Sequence, residues 1–234
     1  MRAVGILFDK DGTLIDFEAT YAPACAEILR QFADGDAELE AQLAAAIGFD
    51  PTAMRFARDS VAIAGSAADM ADAAAHLLDP ALRSGLAGRI DLLFNIHSRD
   101  SVLPFDGVGD VLAGLAGDGH VLGIATNDSE QGAHAHAEIA GIHGHFSFFA
   151  GYDSGHGAKP GPGMVLAFAE HCRCDPGEIV MVGDSRHDLA AARAAGAVAV
   201  AVTTGPAARE DLAPHADHVI GSLGELRNLP PLCR

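Results

Sequence analysis

The feature that most constrains this chain is a regular change of apolar period in its second half. Val108 to Leu115 is spaced as a helix, and His120-Val121-Leu122-Gly123-Ile124-Ala125 reads as a buried strand. The pairing repeats: helix over Glu130 to Ala140, strand Phe146 to Phe149, helix over Met164 to Cys172, strand Ile179 to Val182. It continues with a helix over Asp188 to Ala195, strand Val198 to Val202, strand His218 to Ile220 and a last helix. Strands that are apolar throughout are buried on both faces, as in a parallel sheet covered by helices on each side. A first strand over residues 3 to 8 stands apart from this series. After it, residues 16–102 lack strong strand signals. They read as helices over Glu18 to Phe32, Ala37 to Ile47, Asp69 to Leu78 and Ala81 to His97, with Asp50 to Gly65 breaking the pattern. The expectation is an α/β fold: a doubly wound, Rossmann-like parallel sheet from residues 1–15 and 103–234, with an all-helical domain inserted at 16–102.

Bulk properties narrow the partners. A chain of 234 residues with 49% hydrophobic residues can bury a large core. A net charge of −17 argues against nucleic acid or an anionic membrane, since phosphate backbones recruit Lys and Arg. No apolar run reaches the length of a membrane span, and the N-terminal run is too short for a secretory signal. Cys25, Cys172, Cys174 and Cys233 have no zinc spacing, and reduced thiols in a cytoplasmic protein are expected.

In doubly wound sheets, ligands bind at the carboxyl ends of the strands. There this chain places Asp9-Lys10-Asp11-Gly12-Thr13, Thr126-Asn127-Asp128 and Gly183-Asp184 through Asp188, with Lys159-Pro160 in a loop. Carboxylates gathered at one edge repel one another unless a cation is present. All-oxygen donors suit Mg²⁺. A lysine and a threonine hydroxyl suit phosphate oxygens, and the N–H groups of Lys10-Asp11-Gly12 would add an anion nest. Cation, phosphate cradle and carboxylate nucleophile point together to phosphoryl transfer. Residues two apart in an extended chain point the same way, so Asp9 can attack phosphorus while Asp11 serves as acid and base. The same alternation turns Lys10 away, as a surface lysine.

Taken together and in this order, the motifs resemble the haloacid dehalogenase superfamily of Asp-based phosphotransferases. Asp9-Lys10-Asp11-Gly12-Thr13 resembles its first motif, Thr126 its second, Lys159-Pro160 its third, and Gly183-Asp184 through Asp188 its fourth. The stretch from Lys159 to Gly196 is similar to phosphoglycolate phosphatase-like members. The resemblance implies that Asp9 is the nucleophile and Asp11 the general acid/base, its carbonyl on Mg²⁺. It implies that Thr126 and Lys159 hold the phosphoryl group, Gly12 and Thr13 belong to the phosphate loop, and Asp9, Asp11, Asp184 and Asp188 form the metal site. It also implies that the insert is a small helical cap and that the substrate is a small phosphorylated metabolite. Homodimers through the cap occur in related folds. Asp11 argues against a dehalogenase, which needs no general acid there.

Other readings remain open at this stage. Asn127 and Asp128 either contact substrate or cap the following helix, and Ser185 reads as a cap. Arg55 and Arg58 either meet a distal anionic group of the substrate or stay solvated. His134, His136, His143 and His145 read as incidental surface histidines. The competing functions are a sugar phosphomutase with the same motifs and a catalytically idle regulatory or binding module. The second conflicts with the presence of Asp9, Asp11, Lys159 and Asp184 together.

Overall fold

The computed structural model describes residues 5–230 and 232. The chain falls into two compact units, Met1–Asp16 with Pro104–Arg234, and Phe17–Leu103.

The first unit is built on a parallel sheet. Its first strand is β1 (Gly5–Phe8); residues 3 and 4, read as the start of that strand, lie outside the described residues. Ile6, Leu7 and Phe8 are fully buried. Each such side chain contributes about 1.5–3 kcal/mol relative to exposure. The helical unit separates β1 from the rest and holds α1 (Phe17–Ala33), α2 (Ala37–Ile47), β2 (Phe49–Asp50) and β3 (Arg55–Phe56). It continues with α3 (Val61–Ala64), α4 (Ala67–Ala74), α5 (Pro80–Arg83) and α6 (Leu86–His97). The first unit then resumes with α7 (Val108–Gly117), β4 (Val121–Ala125), α8 (Glu130–Ile139), β5 (Phe148–Ala150) and α9 (Gly163–Cys172). It ends with β6 (Ile179–Gly183), α10 (Arg186–Ala195), β7 (Val198–Val202), α11 (Arg209–Leu212) and β8 (His218–Ile220).

Among the described residues, six strands form one sheet in the order β5-β4-β1-β6-β7-β8, and every pairing in it is parallel. The chain winds outward from β1 through β4 to β5, returns to β6 on the other side, and winds outward again. The winding therefore reverses beside β1, and a crevice is expected beyond the carboxyl ends of β4, β1 and β6. Register fixes which residues meet there: Phe8 pairs with Ile124 and with Val182. Asp9, Thr126 and Asp184 thus follow closely on adjacent strand ends.

The helical unit has its own apolar core, including Tyr21, Leu29, Leu43, Met70 and Ile90. The segment between α2 and α4 is not a plain loop. It forms the antiparallel ribbon of β2 and β3, whose Phe49 and Phe56 rings lie 4.8 Å apart, with Phe17 5.0 Å from Phe56. The paired Phe49 and Phe56 rings, packed against Phe17 of α1, favour an extended ribbon over a solvated loop. The helix expected over Ala81 to His97 is broken between α5 and α6, where Gly85 takes a left-handed φ of 68°. The last helix is a 3-10 turn over Leu223–Asn228. Among the described residues no helix is long and apolar enough to cross a membrane.

Candidate active site

The chain turns as soon as β1 ends. Asp9 N–H still donates to Val182 O at 2.8 Å, but Leu14 N and Ile15 N both donate to Lys10 O, at 2.9 and 3.0 Å. Gly12 N–H donates to Ile15 O at 2.8 Å, and Thr204 Oγ1 donates to Gly12 O at 2.6 Å. The turn closes on itself, so Gly12 N–H is not the open anion nest expected from the sequence. Gly12 has a φ of 78°, and a Cβ there would collide with the Asp184 carboxylate. Glycine is needed at this position on both counts.

Lys159 reaches the same place from the loop before α9. Its Nζ donates to Asp9 Oδ1 at 2.6 Å, Asp188 Oδ1 at 2.6 Å and Ala125 O at 2.9 Å. Three N–H groups meet three acceptors, which leaves the buried ammonium fully satisfied. Asn127 holds the Lys159 backbone. Its Oδ1 accepts from Lys159 N at 2.9 Å and its Nδ2 donates to Lys159 O at 3.0 Å. So the Asn127 amide, read as a substrate contact or a cap, is engaged by the main chain of Lys159. Asn127→Ala is expected to cost about 1–3 kcal/mol of stability by leaving these backbone groups unpaired. Any activity that depends on Lys159 should fall along with it. Chemical unfolding and initial rates, measured on the same preparation, check the pair of effects.

Asp188 sits at the start of α10. Its Oδ2 accepts from Ser185 N at 3.0 Å and Ser185 Oγ at 2.6 Å, and Ser185 is the N-cap of the helix. That reciprocal box fixes the carboxylate that faces Lys159. Asp9, Asp184 and Asp188 are all buried, and one oxygen from each lies within 4.8 Å of the others.

The electrostatics follow from this crowding. Burial, then the Asp188 charge, pushes Asp9 up from 3.8 to about 7, although Lys159 pulls the other way. Burial and then Asp9 hold Asp184 well above its ordinary value. Burial lowers the Lys159 pKa, but Asp188 and Asp9 outweigh it and hold the ammonium above its usual range. An acid whose pKa is higher folded than unfolded binds its proton more tightly when folded. Its contribution to stability is therefore lost as pH rises between the two values. For Asp9 that window runs from 3.8 to about 7. Thermal unfolding in a chelator should show a falling midpoint across this window, and a shallower fall in Asp9→Asn.

Lys10 corrects the sequence reading. It is fully buried, not a surface residue. Its Nζ lies 2.9 and 2.8 Å from Asp11 Oδ1 and Oδ2, 2.9 Å from Asp128 Oδ2 and 3.0 Å from His136 Nδ1. The alternation rule failed because the strand stops at Phe8 and the turn begins at once. His136 is 1% exposed, which corrects its reading as a surface histidine. A signal for it was present: Gly132, Ala133, His136 and Ala137 form the buried stripe of α8 at helical spacing. Burial lowers the Lys10 pKa, but Asp11 and Asp128 outweigh it and hold it above its ordinary value. Burial raises Asp11, with Lys10 opposing. Burial also pushes Asp128 up, but Lys10 outweighs it and holds that carboxylate below its usual range.

The remaining expected residues divide. Thr126 is buried at the end of β4, and its Oγ1 accepts from Asp128 N at 3.1 Å. Thr13 is fully enclosed, and its buried hydroxyl has no partner among the described residues. Its side chain therefore does not face open space. Ser129, not Asn127 or Asp128, caps α8. Arg55 is exposed on β3 and lies 3.4 Å from Glu18, and Arg58 is an exposed residue of the same helical unit. His134 and His143 bond to each other at 2.8 Å and stack with Phe149. Cys25, Cys172 and Cys174 are free thiols; Cys233 lies outside the described residues.

With the geometry in hand, comparison with known proteins gives a consistent result. The family model for haloacid dehalogenase-like hydrolases matches residues 4–196. A phosphoglycolate phosphatase of Chromobacterium violaceum is 38% identical over 133 residues, which cover 57% of this chain and 59% of that protein. One from Neisseria meningitidis is 39% identical over 125 residues, 51% of this chain and 53% of that protein. The chain thus spans little more than half the length of these curated relatives. Among solved structures, a predicted phosphoglycolate phosphatase from Haemophilus somnus superposes with a TM-score of 0.73 at 20% identity, covering 97% of this chain and 98% of that one. A hydrolase from Deinococcus radiodurans, solved with bound phosphate and sodium, gives 0.66 at 21% identity, covering 97% and 94%. At these identities the structural likeness is one of fold.

Proposed function

The chain belongs to the haloacid dehalogenase-like hydrolases, and from that premise we propose that it is a Mg²⁺-dependent phosphatase of small phosphorylated metabolites. The phosphoglycolate phosphatases to which its sequence is similar suggest a compact phosphorylated acid as substrate. One observation carries the proposal: Lys159 Nζ bonds at once to Asp9 and Asp188 inside a buried cluster of three carboxylates.

The cluster suits a hard divalent cation. Three carboxylates face one ammonium, so two formal negative charges remain to be balanced. The donors are all oxygen, and burial, with repulsion between the carboxylates added to it, has raised both Asp9 and Asp184. Asp9, Asp184 and the Asp11 carbonyl would hold Mg²⁺, with Asp188 supporting the set. Bound there, the ion would neutralise charge on the phosphoryl oxygens.

The chain's own residues supply the rest. Lys159 orients Asp9 and offers positive charge beside the oxygens of the transferring group. An Asp9 oxygen attacks phosphorus, the bond to the substrate oxygen breaks, and Asp11 delivers a proton to that oxygen. Asp11, now a carboxylate, takes a proton from water as that water attacks phosphorus. Phosphate leaves and the Asp9 carboxylate is restored. Arg55 and Arg58 are candidates for recognising a second anionic group on the substrate.

The test is phosphate release from a panel that includes 2-phosphoglycolate and sugar phosphates, with Mg²⁺ and with a chelator. Release that needs the metal supports the reading. A panel left intact under both conditions would sink it. A sugar phosphate isomerised without free phosphate would transfer support to the mutase.

A further inference from the structure

We propose that Lys10 is a positioning residue that holds the general acid/base Asp11 in place, anchored from behind by Asp128 and His136. The inference rests on the hydrolase reading and adds a residue to it. The chain contains two lysines, Lys10 and Lys159. Lys159 holds the proposed nucleophile, and Lys10 holds the proposed acid/base.

The geometry sets Lys10 apart from a general core residue. Both oxygens of Asp11 lie within 2.9 Å of Nζ, so the ammonium fixes the carboxylate at two points. The remaining N–H groups meet Asp128 Oδ2 and His136 Nδ1. An ammonium can only donate, so His136 Nδ1 accepts, and the ring proton belongs on Nε2. The anchors are themselves fixed. Asp128 Oδ1 accepts from Ser129 N at 2.7 Å, and Ser129 Oγ caps α8 through Gly132 N. His136 lies two turns further along that helix on its buried stripe. The ammonium thus ties the turn after β1 to the start and the body of α8. Asp11 keeps 15% of its side chain exposed, so it is held and yet reachable by solvent and substrate. A buried, fully paired charge is an expensive way to fill a core. It is understandable where the partner must keep one orientation.

The consequence is selective. Alkyl phosphates need protonation of the leaving oxygen, whereas 4-nitrophenyl phosphate releases a stable anion without it. The value of kcat/KM reports the steps up to transfer of phosphorus to Asp9. Lys10→Met should lower kcat/KM for the alkyl phosphate that the parent cleaves best by about 10²-fold. The value for 4-nitrophenyl phosphate should change by less than about threefold, since Asp11 need not act as acid there.

Removing one charge of a buried set can prevent folding. The double variant Lys10→Met/Asp128→Asn therefore accompanies it, because it removes one charge of each sign and keeps the Asp128 acceptor for Ser129 N. Circular dichroism first verifies that the variant used is folded. Selective loss on the alkyl phosphate in either folded variant supports the proposal. Equal loss on both substrates, or no loss on the alkyl phosphate, overturns it while leaving the hydrolase reading intact. A parent that cleaves neither substrate overturns the hydrolase reading and this inference with it.

Discussion

Asp9→Asn should lower phosphate release by about 10⁴-fold or more, the scale seen when a nucleophile is removed. It should do so in a protein that stays folded. The substitution keeps the shape of the side chain and leaves Lys159 bonded to Asp188 and to Ala125 O. It also removes one of three crowded carboxylates. Asp9 resists ionisation up to about 7, so its charge works against the folded state above that pH. Without metal and in mild alkali, Asp9→Asn should therefore unfold at the same temperature as the parent or higher. Loss of activity with equal or greater stability is the signature of a residue retained for chemistry at a cost to the fold. Initial rates and thermal unfolding on one preparation read both halves.

Lys159→Met should have the second largest effect, and with the opposite sign on stability. The Lys159 ammonium lies 2.6 Å from both Asp9 and Asp188. Without it, these buried carboxylates face one another with no other cation bonded to them among the described residues. Removing one partner of a buried ion pair typically costs about 3–5 kcal/mol. Activity should fall by about 10²–10³-fold, the scale for losing one preorganised electrostatic contact. If the acids also hold Mg²⁺, adding the ion should restore part of the lost stability but little of the rate. Urea unfolding with and without Mg²⁺, alongside kcat, separates the two. A variant as stable as the parent in chelator would contradict the buried bridge.

Much of the sheet could be read in advance because its strands are continuous apolar runs. Ile179 to Val182 and Val198 to Val202 can bury both faces only in a covered parallel sheet. The meeting of Asp9, Lys159, Asp184 and Asp188 was legible because strand ends in a doubly wound sheet converge where the winding reverses. What the sequence hid lies in turns and on helix faces. Lys10 reads as a surface residue only when alternation is carried two residues past the end of β1, into a turn that reverses the chain. Asn127 carries no local sign of its partner, since Lys159 is 32 residues away and the loop between sets their approach. His136 could have been placed by counting the stripe on α8, but its role depends on Lys10. The ribbon of β2 and β3 was hidden because each strand has only two residues, too few to show a period.

The central claim is that Asp9 carries the phosphoryl group during turnover. The most direct measurement mixes enzyme, Mg²⁺ and a good substrate, quenches in acid within the first turnovers, and maps the peptides by mass. The account predicts one added phosphoryl group on the peptide that contains Asp9, and none on the same peptide of Asp9→Asn. Phosphate release by Asp9→Asn at the parent rate, with no labelled peptide in either protein, would contradict it.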